Sequence, residues 1–483
     1  MAVQQEASLS IGIGAERINP PSGVPLPLAY SGGFGPVVVD GRHDDCWARA
    51  IVFEQGETRL AVVSLDICTM RNDQYQEVVS RITEHCQIPA SNVTIACTHN
   101  HSNNSLLKPF GAPPSPWQEI LYDLVVSAVY HACQGLEPVS RIRYATASYG
   151  SVAYNRRIVL PDSVCMLIGA EPRWNGIAER LCSSLGATRE QLGLASGPII
   201  PDRIVDDQLR LLVFEGAGNA TLASIVSAAC HPVTHSFNDR HTCADFPGQL
   251  VDLTERELGG MALFLQGCSG DVRPRYREPT YAEVQRVGAQ FGRALQKAAG
   301  NLQGIAGPHF IGAAMQQVEM PLKPYQSRGV QQARLASLEQ DLRDLAKLPA
   351  RGREDIQERW AVYQECAFLR YQLKWGDLET PQTDLKRERT GITLQALRVG
   401  DILVLTSPAE VFAATGIELA NWAEEQGWQG CFVSSCTNGY VNYIPPRAEA
   451  ERGGYEPSST MLAPGTCEQM VTSLQALAGQ VSA

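Results

Sequence analysis

Alternation between apolar runs and polar punctuation divides the chain into short strands and amphipathic helices. The clearest strands are expected at 60–66, 93–97, 223–230, 261–266 and 402–406, each rich in Val, Ile, Leu or Ala. Runs so continuously apolar suit strands covered on both faces, as in layered α/β proteins. Helices are expected at 73–86, 116–133, 281–299 and 411–426, and no fixed repeat period is visible. The stretch 173–201 is rich in turn formers and reads as a connecting excursion. In 326–374, Leu335, Leu338, Leu342 and Leu345 recur at helical spacing before Pro349-Ala350-Arg351-Gly352 interrupts the run. That pattern predicts a helical hairpin packed on the main body, its leucines serving as core.

Composition narrows the class. Hydrophobic residues make up 44% of the 483 and charged residues 19%, enough to build a well-buried core. The net charge of −11, with no block of Lys and Arg, argues against binding to nucleic acid or to an anionic membrane surface. No apolar run reaches the length of a transmembrane helix, so no membrane span is expected. Residues 1–6 lack the basic and apolar regions of an export signal. The fourteen cysteines run from Cys46 to Cys467 without a C-x-x-C pair, which predicts reduced, mostly buried thiols in a cytoplasmic protein.

The chemistry collects where strands end. Thr98-His99-Asn100-His101-Ser102 follows the strand at 93–97, and His231-Pro232-Val233-Thr234-His235 follows the strand at 223–230, with His241 further on. Loops at the carboxyl ends of strands in α/β sheets are where ligands normally sit. Imidazole nitrogen suits zinc, and two residues apart on an extended chain share a face. His99 and His101 therefore either bind one metal together or divide between metal and substrate. The bland alternative is two polar loops satisfied by hydrogen bonds. Pro232 stiffens the backbone at His231. His235 either reaches the same metal, lines the substrate pocket or faces solvent. Ser407-Pro408-Ala409-Glu410 has the spacing of a capping box, although a carboxylate at a strand-to-helix junction is also placed to bind metal. Tyr443 and Tyr455 read from spacing alone as buried hydrogen-bonding aromatics.

Taken together, these blocks resemble the neutral, non-lysosomal ceramidases and their bacterial relatives. The resemblance runs through 12–30, Ser64-Leu65-Asp66, 98–102, Asn155-Arg156, 229–234, Ala244-Asp245-Phe246-Pro247-Gly248, 266–274, Pro408-Ala409-Glu410, Tyr443 and Tyr455-Glu456, in the family's order. It implies one catalytic domain over 1–483, with layered mixed sheets, flanking helices and the hairpin at 326–374 as an insertion. It also implies zinc as the cofactor, held by His99, His231, Glu410 and Tyr443. His101, Arg156 and Tyr455 resemble the pocket residues that orient the scissile group and stabilise developing charge. His235, Asp271 and Arg273 are expected to bind substrate.

Three departures bear on specificity. The family's Gly-Asp-x-Ser-Pro block reads Gly270-Asp271-Val272-Arg273-Pro274 here, so Arg273 replaces a serine that acts at the scissile amide. About forty residues follow Tyr443, so the family's immunoglobulin-like C-terminal domain is expected to be missing. The family is secreted or membrane-facing, whereas this chain shows no export signal. The expectation is a zinc-dependent hydrolase in which activated water attacks an amide of a small or amphiphilic metabolite other than ceramide. Arg273 is expected either to pair with an anionic group of the substrate or to form a structural salt bridge to Asp271 or Asp245. The alternatives are an esterase, lactonase or acyl transferase on the same scaffold, and a catalytically silent metal-binding scaffold.

Overall fold

Each of three mixed sheets carries one parallel strand pair in the computed structural model, and those pairs aim their carboxyl ends at a common region. The structure describes residues 8–23, 25–26, 37–103, 116–194, 199, 201, 203–235, 240–307, 309–379 and 387–482. Leu28-Ala29-Tyr30, part of the first resembling block, lies outside the described residues.

The first sheet places Ser10–Arg17, Trp47–Gln55 and Thr58–Leu65 antiparallel, then adds Val93–Cys97 parallel to the last. The second sheet runs Arg141–Ser148, Gln208–Glu215 and Thr221–Ala228 antiparallel, with Met261–Gln266 parallel beside the last. The third repeats the plan with Ile311–Pro321, Arg389–Val399 and Ile402–Thr406, followed by the parallel Gly430–Ser434. Phe53 and Val62 of the first sheet, Phe214 and Leu263 of the second, and Leu397 and Phe432 of the third belong to one shared core. The outer faces are covered by helices: Asn72–Cys86 and Pro116–Gln134 on the first sheet, Asp245–Leu258 and Tyr281–Gly300 on the second, Ala413–Glu425 and Thr466–Val481 on the third. Burial on both faces explains the continuous apolar runs, since Val93–Cys97, Met261–Gln266 and Ile402–Thr406 bury every residue.

Two elements depart from expectation. The stretch 173–201 contains a helix, Trp174–Leu185, that buries Trp174, Ala178, Leu181, Cys182 and Leu185. Its stripe has helical spacing, obscured in the sequence by flanking turn formers. The helix expected at 411–426 starts at Ala413, because Glu410–Val411 instead form a short parallel bridge with Tyr443–Ile444. The capping box therefore does not form: the Glu410 amide donates to Asn442 O at 2.8 Å, while the Ser407 hydroxyl accepts from the Ala409 amide. Helices Arg328–Ala346 and Arg353–Glu379 occupy the charged region, with Leu338 buried and Leu335 and Leu342 packed near Cys366 and Leu369. All fourteen cysteines are free, and only Cys133 is not fully buried. Among the described residues, no helix is long and apolar enough to cross a membrane.

Candidate metal centre

His99 and His231, 132 positions apart in the sequence, meet because their loops leave neighbouring sheets side by side. The Thr98 amide donates to Leu65 O, which turns the chain off its strand, and His99 takes a left-handed φ of 60°. That conformation is uncommon for histidine and is held by the surrounding contacts. The Asn100 side chain donates to Cys243 O and accepts from the Ser102 amide, fixing the loop. The His101 amide donates to Pro232 O at 3.0 Å, tying the two histidine loops together. Asp245 completes the arrangement, its carboxylate accepting from the amides of Thr234, His235 and Phe246.

Glu410 arrives from the third sheet. Its Oε2 lies 2.9 Å from His231 Nε2 and 3.4 Å from His99 Nε2. The side chains of His99, His231 and Glu410 converge closely enough to share one ion, and all three are buried. The parallel bridge sets Tyr443 opposite Glu410, so the phenol and carboxylate share a face. Tyr443 accepts a hydrogen bond from Arg156 Nη2 at 3.1 Å. His101 Nε2 lies 3.1 Å from His99 Nε2, which leaves His101 half-buried at the edge of the group.

The outward ring nitrogens decide what the inward ones present. His99 Nδ1 faces Cys68 O at 3.0 Å, and His231 Nδ1 faces Ser269 O and Val272 O at 2.5 and 3.0 Å. Carbonyls only accept, so each Nδ1 carries the hydrogen. Burial, then Arg156, depress the His231 pKa to about 4, so its Nε2 is an unprotonated acceptor facing a carboxylate oxygen. A proton or a metal ion between them satisfies both. Burial opposes charge on His99 and Glu410, yet Cys436 and Glu410 hold His99 well above the ordinary histidine range, and His99 and His231 hold Glu410 well below that of a carboxylate. Two buried imidazoles and a carboxylate that converge in this way fit a divalent metal.

Neutral ceramidase from Pseudomonas aeruginosa superposes with a TM-score of 0.67 and 18% identity, covering 99% of this chain and 74% of that chain. A ceramidase complexed with C2 matches with a TM-score of 0.66 and 17% identity, over 99% and 75% of the two chains. The chain has the neutral-ceramidase fold. No protein-family model and no curated protein sequence matches it.

On this ceramidase fold the remaining expected residues separate by position. Arg156 is buried, donating from Nε to Glu456 at 2.8 Å and from Nη2 to Gly270 O at 2.7 Å and to Tyr443. Tyr455 is 38% exposed and packs its ring edge-on against Tyr443, with centroids 5.7 Å apart. Asp271 is buried, accepting from the Ala413 amide and the Asn155 side chain. His235 is buried, is not among the side chains that converge closely enough to share one ion, and makes an edge contact with His43, ring centroids 5.2 Å apart. Arg273 forms a salt bridge to neither Asp271 nor Asp245: its guanidinium contacts the Tyr276 hydroxyl at 3.4 Å, and its Nε is buried without a hydrogen-bond partner.

Sequence reasoning missed two groups. Tyr440 places its hydroxyl 2.5 Å from Glu410 Oε1, leaving Oε2 to face the histidines. Its position three residues before Tyr443 was the available signal. Arg157 and Glu449 extend the Arg156–Glu456 pair into a buried ladder, with Arg157 bonding both glutamates. Adjacent arginines beside a strand hinted at it, but the glutamates lie about 300 residues away.

Proposed function

We propose that the protein is a zinc-dependent amidohydrolase that cleaves the N-acyl bond of a small or amphiphilic metabolite. The observation carrying this reading is the convergence of His99 Nε2, His231 Nε2 and Glu410 Oε2, two of them facing acceptors 2.9 Å apart. Tyr443 is the proposed fourth ligand, supported by its register opposite Glu410. Zinc bound there supplies Lewis acidity and acidifies water near neutral pH.

The chain's own residues divide the remaining work. His101, at the edge of the group, takes a proton from the attacking water and returns it to the departing amine nitrogen. Tyr455, the more open of the two expected donors, hydrogen-bonds the oxyanion that develops on the acyl carbon. Arg156 directs its donors to Glu456, Gly270 and Tyr443, so it acts as a positioning residue that aims the Tyr443 oxygen.

Purified His99→Ala and His231→Ala proteins are expected to remain folded and to lose zinc by elemental analysis. Retention of stoichiometric zinc by both variants sinks the site. A panel of matched amides and esters, assayed with and without chelator, tests the reaction. Cleavage of esters alone replaces the amidase reading with the esterase alternative, and a fully occupied coordination shell with no turnover supports the silent scaffold.

A further inference from the structure

An arginine with no ion pair among the described residues stands next to the residues that orient His231. Val272 O accepts from both the amide and the Nδ1 of His231, and Arg273 is the next residue along the strand Val272–Pro274. That strand pairs antiparallel with Ala153–Asn155, setting Arg273 opposite Tyr154. Directly opposed residues share a face, and so do residues two apart. Arg273 thus lies on the face that carries Tyr154 and continues to Arg156, whose guanidinium reaches Tyr443.

Its neighbours show what is unusual. Arg156 is held by Glu456, Arg157 by Glu449 and Glu456, and Arg275 by Glu171. Among the described residues, Arg273 has no ion pair: its single hydrogen bond is the 3.4 Å contact to the Tyr276 hydroxyl, and its buried Nε has none. A half-buried guanidinium without an ion pair presents a planar fork suited to a carboxylate. Arg273 directly follows the carbonyl that holds His231, so its strand borders the converging residues. An amino acid acylated on its nitrogen carries a carboxylate close to the scissile bond.

We propose that Arg273 anchors a carboxylate on the amine half of the substrate, making N-acylated amino acids the substrate class. This rests on the amidase reading of the same site. Hydrolysis adds water across the C–N bond: the oxygen goes to the acyl carbon, a proton goes to the nitrogen, and a fatty acid and an amino acid leave with no change in oxidation state.

The test compares N-octanoylglycine, neutral N-octanoylglycinamide and N-octanoylphosphoethanolamine as substrates of the zinc-loaded protein. The wild type is expected to favour the glycine conjugate in kcat/KM by about tenfold or more. Arg273→Gln is expected to erase that preference through KM, bringing the glycine conjugate down to the level of the glycinamide, and Arg273→Lys to restore part of it. A merely structural role changes both substrates alike together with the melting temperature, and that result overturns the proposal. Equal cleavage of the acid and the amide by the wild type overturns it while leaving the amidase reading intact. Preference for the phosphate conjugate overturns the carboxylate assignment. If no conjugate is cleaved, the amidase reading falls, and calorimetric titration with N-octanoylglycine decides the anchor. Binding by the wild type that is lost in Arg273→Gln supports the anchor, and absence of wild-type binding overturns it. Should Arg273→Gln fail to fold, the Arg273→Lys comparison carries the same outcomes.

Discussion

Glu410 meets a different partner at each oxygen, the Tyr440 hydroxyl at Oε1 and the histidines at Oε2. Outer hydrogen bonds of this kind orient a metal ligand and commonly contribute 10- to 100-fold in affinity or activity. Tyr440→Phe is therefore expected to weaken metal retention about tenfold or more in a competition with a fluorescent chelator, with a nearly unchanged melting temperature for the metal-free protein. Unchanged retention removes Tyr440 from the site. His99 and His231 were legible because histidine is scarce here and both follow strong strands. The left-handed conformation of His99 was not legible, since only a small minority of non-glycine residues adopt it and nothing local marks which ones do. Spacing also misread Glu410, because Asn442 O, 32 positions on, takes the amide that a capping box would engage.

At the scale of elements, the buried ladder from Arg156 through Glu456 and Arg157 to Glu449 connects the strand pair at Ala153–Asn155 with the helix Arg447–Arg452. Burial pushes the Glu449 carboxyl up, but Arg203 and Arg157 outweigh it and hold the pKa at about 2. A carboxylate depressed in the folded state stabilises above its unfolded pKa and loses that contribution as pH falls from about 4.5 toward 2. Glu449→Gln is expected to destabilise by on the order of 2–3 kcal/mol at pH 7 and to flatten the loss of stability between pH 5 and 2, measured by urea titration across pH. An acid limb identical to wild type excludes this role. Asp271 is a second joint, accepting from the first amide of the helix Ala413–Glu425. Asp271→Ala leaves that amide unpaired and removes one of the Asn155 side chain's hydrogen bonds, and is expected to cost about 1–3 kcal/mol in thermal or urea unfolding. Long, fully covered strands were readable one at a time, but two-residue bridges such as Glu410–Val411 with Tyr443–Ile444 carry no local signal and exist only once distant loops meet.

For the molecule as a whole, the converging loops come from three sheets that share one core. An ion held between them binds the folded state and not the unfolded chain, so it stabilises by mass action, about 2.7 kcal/mol at one hundred times its dissociation constant. Addition of a chelator is expected to lower the wild-type melting temperature by several degrees, and the shift should vanish in His231→Ala. An equal shift in both proteins would falsify the link between this ion and global stability. The common plan of the sheets was only partly readable: five of the six strands in the parallel pairs stood out and Gly430–Ser434 did not, while antiparallel partners such as Ile311–Pro321 and Arg389–Val399 mix polar and apolar residues.

The wide spacing of the converging residues also governs biosynthesis. His99 leaves the ribosome long before Glu410, and Tyr443 follows later still. A half-made chain therefore offers an ion only scattered imidazoles, and lasting capture must wait until translation has passed the last contributor. An ion bound at this site would therefore be acquired by the finished polypeptide and not by the nascent one.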